Sequence, residues 1–234
     1  MNTASVYPLA NYTFGTKEAQ PEEDTSVTAR MDRLEKDFSV NGMRRSVDAV
    51  LVVHDHGHPH VLMFQIAAQF YKLPGGYIKK EDEADDEATA VKKILTKQLS
   101  AEHLSATDGA IDPDWGLEGC LSTWWRPNFE TFMYPYVPPH VSHPKERRQV
   151  WLMRLPPRKS LVVPQNMRLV AVPLIELYDN TSRYGAQLSA LPHAMSNWSF
   201  TLLRNPTVKG DESEEGKEED IMGATNQPSI TGSA

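Results

Sequence analysis

The stretch from His60 to Ser100 constrains this chain more than any other. A β-rich run, His60-Val-Leu-Met-Phe-Gln-Ile66, leads through Gln69-Phe-Tyr-Lys-Leu-Pro-Gly-Gly76 into a helix-like segment ending at Leu99. Two glycines that close a strand, a charged loop and then an amphipathic helix point to an α/β domain. Ala84, Ala88, Val91 and Leu95 fall on one helix face. The acids of Glu81-Asp-Glu-Ala-Asp-Asp-Glu87 lie in the loop and first helical turn. There carboxylates complement the positive end of the helix dipole.

The flanks extend the same architecture. Ser46–Val53 and His60–Ile66 read as strands around His54-Asp-His-Gly-His-Pro59. Its histidines recur at spacing two, as metal ligands can, but Gly57 and Pro59 make the segment a solvated hairpin loop and no cysteine completes a site. Residues 1–23 read as an irregular arm whose Tyr7, Tyr12 and Phe14 pack along the domain. A helix capped by Asp24 or Thr25 carries Val27, Met31, Leu34 and Phe38 as one apolar stripe and stops at Gly42. After a polar loop at 101–114, strands are expected at Trp115–Trp125, Gln149–Leu155, Ser160–Val163 and Arg168–Val172. Short helices at Leu174–Leu177 and Gln187–Trp198 flank Tyr178–Gly185.

Two features bear on binding. Phe70 and Tyr71 are adjacent in a strand, so one of them faces away from the core, where an aromatic ring can stack on a base. The loop Phe132-Met-Tyr-Pro-Tyr-Val-Pro-Pro-His140 is kept irregular by prolines and offers Tyr134 and Tyr136 as rigid faces for nucleic acid or protein. Arg126 to Arg168 holds eight bases against two acids, the footprint of a polyanion site or else a solvated strand edge.

Length and composition bound the rest. A chain of 234 residues with 40% hydrophobic content can bury one good core. The lone Cys120 excludes an internal disulfide and suits a reducing, intracellular compartment. No apolar run approaches spanning length and no signal-peptide pattern opens the chain, so a soluble protein away from membranes is expected. Net charge is −7, and residues 205–234 carry seven acids against two bases. That polar, Gly/Ser-containing tail reads as disordered.

The strand–loop–helix order resembles the Nudix box, whose REUxEE string (U aliphatic) carries metal-binding glutamates. Matched by its helix, that string falls on Lys93-Ile-Leu-Thr-Lys-Gln98, so Ile94, Lys97 and Gln98 stand where the glutamates would be. An isoleucine, an ammonium and an amide cannot coordinate a hard divalent cation. No metal or cofactor is therefore expected, and the resemblance implies a scaffold that no longer hydrolyses.

Longer strings carry a narrower resemblance. Tyr7-Pro-Leu-Ala-Asn-Tyr-Thr-Phe-Gly-Thr-Lys-Glu18, Gly42-Met-Arg-Arg45, Lys72-Leu-Pro-Gly-Gly76, Trp124-Trp-Arg-Pro-Asn-Phe-Glu130, Tyr134-Pro-Tyr136 and Glu176-Leu-Tyr-Asp-Asn180 are similar to the small Nudix-fold subunits of pre-mRNA cleavage factor I, over residues 6 to about 200. The resemblance implies a nuclear, non-catalytic homodimer that reads UGUA elements in single-stranded RNA and binds a larger, RRM-containing subunit. Its RNA contacts carry over to Glu22, Arg30 and Gln69-Phe70-Tyr71. Asp48 stands where relatives have Glu, and Tyr134, Tyr136 and Tyr184 are candidates around the RNA or partner surface.

The expected organisation is an N-terminal arm and helix (1–42), a Nudix-type α/β/α sandwich (43–177), a C-terminal helical extension (178–204) and the acidic tail (205–234). Two other readings compete. One is a Nudix diphosphate hydrolase using the displaced acids at 81–87; the other is a scaffold that binds only proteins.

Overall fold

The computed structural model describes residues 2–21, 23–67, 69–79, 82, 85–107 and 109–203. The acidic tail, Glu22 and several residues of the 80–84 loop lie outside these.

In chain order the elements are β1 (Asn2–Val6), β2 (Tyr12–Lys17), α1 (Val27–Asn41), β3 (Arg44–Asp55), β4 (His58–Ile66), β5 (Phe70–Lys72), β6 (Gly75–Tyr77), α2 (Glu87–Leu99), α3 (Glu102–Ser105), β7 (Gly116–Arg126), β8 (Glu146–Arg154), β9 (Lys159–Pro164), β10 (Arg168–Pro173), α4 (Leu174–Leu177), α5 (Thr181–Ser189), α6 (Leu191–Ala194) and β11 (Trp198–Leu202). The main sheet runs β10-β4-β3-β8-β7, with β5 added to β4 and β6 to β3. Its β3–β8 pairing is parallel and its other pairings are antiparallel.

Strand β3 explains the layering. Its alternation sends Val47, Ala49, Leu51 and Val53 into one core with Val91, Leu95 and Leu99 of α2. Val50 and Val52 point the other way, into a core with Leu177, Leu188, Leu191 and Met195 from the C-terminal helices. The sheet is thus covered on both faces, the α/β/α arrangement that the Nudix resemblance implies.

The structure corrects several local expectations. The N-terminal arm is not irregular, because β1 pairs in parallel with β11 and β2 with β9. Both pairings join distant parts of the chain, and β11 lies outside the expected elements although Trp198-Ser-Phe-Thr-Leu202 alternates as a strand does. The histidine segment is not a six-residue loop. His54 pairs with Pro59 and Asp55 with His58, leaving a two-residue turn at His56 and Gly57, both at positive φ.

Helix α1 is capped by Ser26, whose Oγ accepts from the Ala29 amide at 3.1 Å, while both oxygens of Asp24 take the Arg33 guanidinium at 2.7 Å. Its apolar stripe is only partly used: Val27 is 80% exposed and no residue of α1 is fully buried. The contact that docks it is Phe38, edge-on to Phe129 with ring centroids 5.9 Å apart and the Lys145 ammonium 3.7 Å from its centre. Helix α1 therefore lies on the rim of the body, and its N-terminal half roofs open space.

Candidate functional site

The open space follows from the alternation that builds the core. Ser46 and Asp48 share a face of β3 with Val50 and Val52 but lie nearer the strand's start, as Glu146 and Arg148 do on parallel β8. Antiparallel β7 brings Arg126 to the same end. This polar floor underlies a cavity of about 1090 Å³. Its walls are the start of α1 (Arg30, Leu34), the 71–77 segment, the loop at 131–133 and α5 around its kink at Gly185.

The floor is an ordered charge network. Glu146 accepts from Ser46 Oγ at 2.7 Å, Arg126 Nε at 2.9 Å and Arg148 Nη2 at 2.9 Å. Burial alone would raise the Glu146 carboxyl, but the Arg148 and Arg126 charges outweigh it and hold it down at about 2. Burial pushes Asp48 above its ordinary value, with Arg148 opposing. Asp48 Oδ2 accepts from Gln187 at 3.2 Å and Arg148 at 3.4 Å. Burial lowers the Lys72 ammonium, against the pull of Asp48. Among the described residues, neither Lys72 nor Arg30 makes a side-chain hydrogen bond or ion pair, although the Lys72 ammonium lies 5.9 Å from the centre of the Phe64 ring and is drawn by Asp48.

Four of the sequence-derived positions converge here: Arg30, Asp48, Tyr71 and Tyr184 all line the cavity. The Tyr71 and Tyr184 rings lie 4.8 Å apart. Tyr184 is buried, its hydroxyl donating to Glu176 at 2.6 Å, whereas the Tyr71 hydroxyl accepts from Gln65 at 3.1 Å and Arg183 at 3.3 Å. Of the adjacent aromatics, Phe70 is the one that faces out, at 67% exposure. Gln69 is exposed beside it, and neither lines the cavity. Tyr134 and Tyr136 form a separate pair, 5.8 Å apart, outside the lining. Glu22 lies outside the described residues.

Three cavity residues were not singled out from sequence. Lys72 follows the Gln69–Tyr71 segment and carries no signal of its own beyond its place in the Lys72-Leu-Pro-Gly-Gly76 string. Arg148 was counted only as one of a group of bases, and Gln187 is 139 positions from the carboxylate it holds and carries no local signal.

The basic segment needs correction. Arg126 and Arg148 are bound to Glu146, Arg147 to Glu87, Arg154 to Glu118 at 3.6 Å, and Lys159 to Asp112 and Asp114 at 2.7 Å each. Its charge is largely neutralised by acids from elsewhere in the chain, and β8 is an interior strand rather than an edge. It is not an open polyanion footprint.

The positions matched to the Nudix glutamates lie by a second cleft, of about 710 Å³. Gln98 does not face it as a free ligand. Its Oε1 accepts from the Gly75 amide at 2.9 Å and its Nε2 donates to the Gly75 carbonyl at 2.8 Å. The carbonyl of Lys97 takes the Lys17 ammonium at 2.7 Å, and Ile94 lies beside Gly76. The acids before α2 are engaged too: Asp82 and Asp85 bind Lys93 at 2.9 and 2.6 Å, Asp86 caps Thr89, and Glu87 binds Arg45 at 3.1 Å. Glu81 and Glu83 lie outside the described residues. No group of three or more His, Cys, Asp or Glu able to hold a metal occurs among the described residues. Among these residues, too, no helix is long and apolar enough to cross a membrane.

Sheet, glycine pair and following helix define a Nudix domain, and the Nudix family model described as "Nucleotide hydrolase" matches residues 2–198. Among solved structures, the Nudix domain of Shewanella oneidensis NrtR complexed with ADP ribose is 14% identical and aligns over 70% of this chain and 97% of that one, with a TM-score of 0.42. Nothing about ligands is carried over from so distant a likeness.

Closer relatives narrow the class. The chain is 45% identical to the Arabidopsis thaliana pre-mRNA cleavage factor Im 25 kDa subunit 2, over 85% of this chain and 96% of the relative. It is 37% identical to the Dictyostelium discoideum cleavage and polyadenylation specificity factor subunit 5, over 87% and 98%. The chain belongs to the family of pre-mRNA cleavage factor Im 25 kDa subunits.

Proposed function

We propose that this protein is a non-catalytic, sequence-specific RNA-binding subunit of the nuclear machinery that cleaves and polyadenylates pre-mRNA, reading UGUA through the cavity beneath α1. The observation that carries this reading is the combination in that cavity of two cations with no hydrogen bond or ion pair among the described residues (Arg30, Lys72), a buried acceptor (Asp48) and the Tyr71–Tyr184 ring pair, with exposed Phe70 next in sequence to Tyr71. Single-stranded RNA is recognised by stacking on unpaired bases, hydrogen bonds to their edges and charge against the phosphates. Arg30 supplies a planar fork of donors, Asp48 an acceptor for a base N–H, and Phe70 a ring face. Gln69 and Glu22 complete the proposed contacts from the same chain segments.

The non-catalytic part of the reading rests on the Gln98 latch and on the bound state of Asp82, Asp85, Asp86 and Glu87. Those contacts disfavour a hydrolase built from the displaced acids. The relatives are named as subunits of a cleavage factor, which supports work within a complex; the proposal adds a homodimer that engages a larger RRM-containing subunit, with Tyr134 and Tyr136, exposed away from the cavity, as candidates for protein contact.

The test is to titrate UGUA-containing RNA with Arg30→Ala and Phe70→Ala. Each is expected to weaken binding about tenfold with an unaltered melting temperature, since both side chains are exposed. Unchanged affinity in both would remove the assigned site.

A further inference from the structure

One large apolar side chain on this cavity has no structural employment. Phe132 is 70% exposed and lines the same cavity as Arg30, Asp48 and Tyr71. Its surroundings are not loose. Trp125 and Tyr134 exchange backbone hydrogen bonds of 2.7 and 2.8 Å across the base of the loop. Inside it, the Glu130 amide donates to Asn128 Oδ1 at 3.1 Å, and the Arg126 guanidinium, itself held by Glu146 at 2.9 Å, donates to the Glu130 carbonyl. The ring is therefore presented to the cavity from a loop tied at both ends and braced from the floor.

We propose that Phe132 is a stacking platform for a nucleobase of the bound RNA, so that the site holds at least one base beyond those lying against Phe70 and Tyr71. This rests on the RNA reading given above. An aromatic ring left in water on a fixed backbone has little ordering entropy left to lose on contact, which favours a flat aromatic occupant. The positive charges of Arg30 and Lys72 in the same cavity, neither of them ion-paired among the described residues, favour an occupant that also carries phosphates, and single-stranded nucleic acid combines the two. The polar floor of Ser46, Asp48, Glu146 and Arg148 disfavours an apolar peptide in the same place.

The experiment uses the full-length chain and RNAs in which UGUA is extended on either side, with 2-aminopurine placed in turn at each flanking position. Wild type is expected to quench the fluorophore at one flanking position. Phe132→Ala should abolish that quench and weaken the extended RNA about tenfold while leaving the bare UGUA tetramer unaffected, and Phe132→Tyr should preserve both. If Phe132→Ala binds the extended RNA as tightly as wild type, with UGUA preference intact, the platform is refuted and the RNA reading stands. If wild type shows no UGUA preference, both fall together. RNA binding unchanged in Phe132→Ala alongside loss of a protein partner would make the ring a protein contact and overturn the proposal.

Discussion

The two glycines at 75 and 76 are indistinguishable in the sequence, yet the structure separates them sharply. A Cβ on Gly75 would stand 2.4 Å from both Asp48 Oδ1 and the Val47 carbonyl oxygen, and 2.7 Å from Asp48 Cα. Two of these are backbone atoms, so no rotamer change relieves the clash, and β6 must lift away from β3. A Cβ on Gly76 would meet nothing nearer than Ile94 Cγ2 at 4.0 Å.

Gly75→Ala therefore threatens the two Gln98 bonds to Gly75 and the Ala49-to-Pro74 bond of 2.8 Å. At about 1 kcal/mol each these amount to roughly 3 kcal/mol, to which overpacking adds about 1 kcal/mol or more. For a folded body of this size that lowers the melting temperature by roughly 10 °C, while Gly76→Ala should stay within about 0.5 kcal/mol of wild type. Urea denaturation and thermal melts of the two variants side by side make the assay. Gly75→Ala proving as stable as Gly76→Ala would refute the close-approach argument.

Two further predictions concern the floor and the roof of the cavity. The folded-state value of Glu146 lies below its ordinary 4.5, so the stability it contributes is complete above that pH and is lost as pH falls towards 2, an effect of about 3 kcal/mol. The stability gap between wild type and Glu146→Gln should shrink over that range, and a gap independent of pH would contradict the network. Phe38→Ala removes the ring that docks α1 against Phe129 and Lys145. It should cost about 2 kcal/mol and weaken UGUA binding through the displaced Arg30, and unchanged RNA affinity would show that α1 needs no such anchor.

What the sequence disclosed was mostly local. The run from His60 to Leu99 fixed strand, glycine turn and helix because each is a pattern within a few residues, and simple alternation required either Phe70 or Tyr71 to face outward. The parallel pairings of β1 with β11 and β2 with β9 join the start of the chain to segments far along it, and no local pattern announces the partner. Charge counting failed for a related reason. The bases between Arg126 and Arg168 find their acids at Asp48, Glu87, Asp112, Asp114 and Glu118, so a cluster in sequence is mostly neutral in space. Conversely, Arg30 and Lys72, which line the cavity and make no hydrogen bond or ion pair among the described residues, belong to no cluster at all.

The central claim is that the cavity under α1 distinguishes one RNA sequence from another. Equilibrium titration of the wild-type protein with a UGUA-containing hexamer and with the same nucleotides scrambled, at one fixed salt concentration, tests it most directly. At least a tenfold preference for UGUA is expected, about 1.4 kcal/mol. Equal affinity for the two RNAs would contradict it.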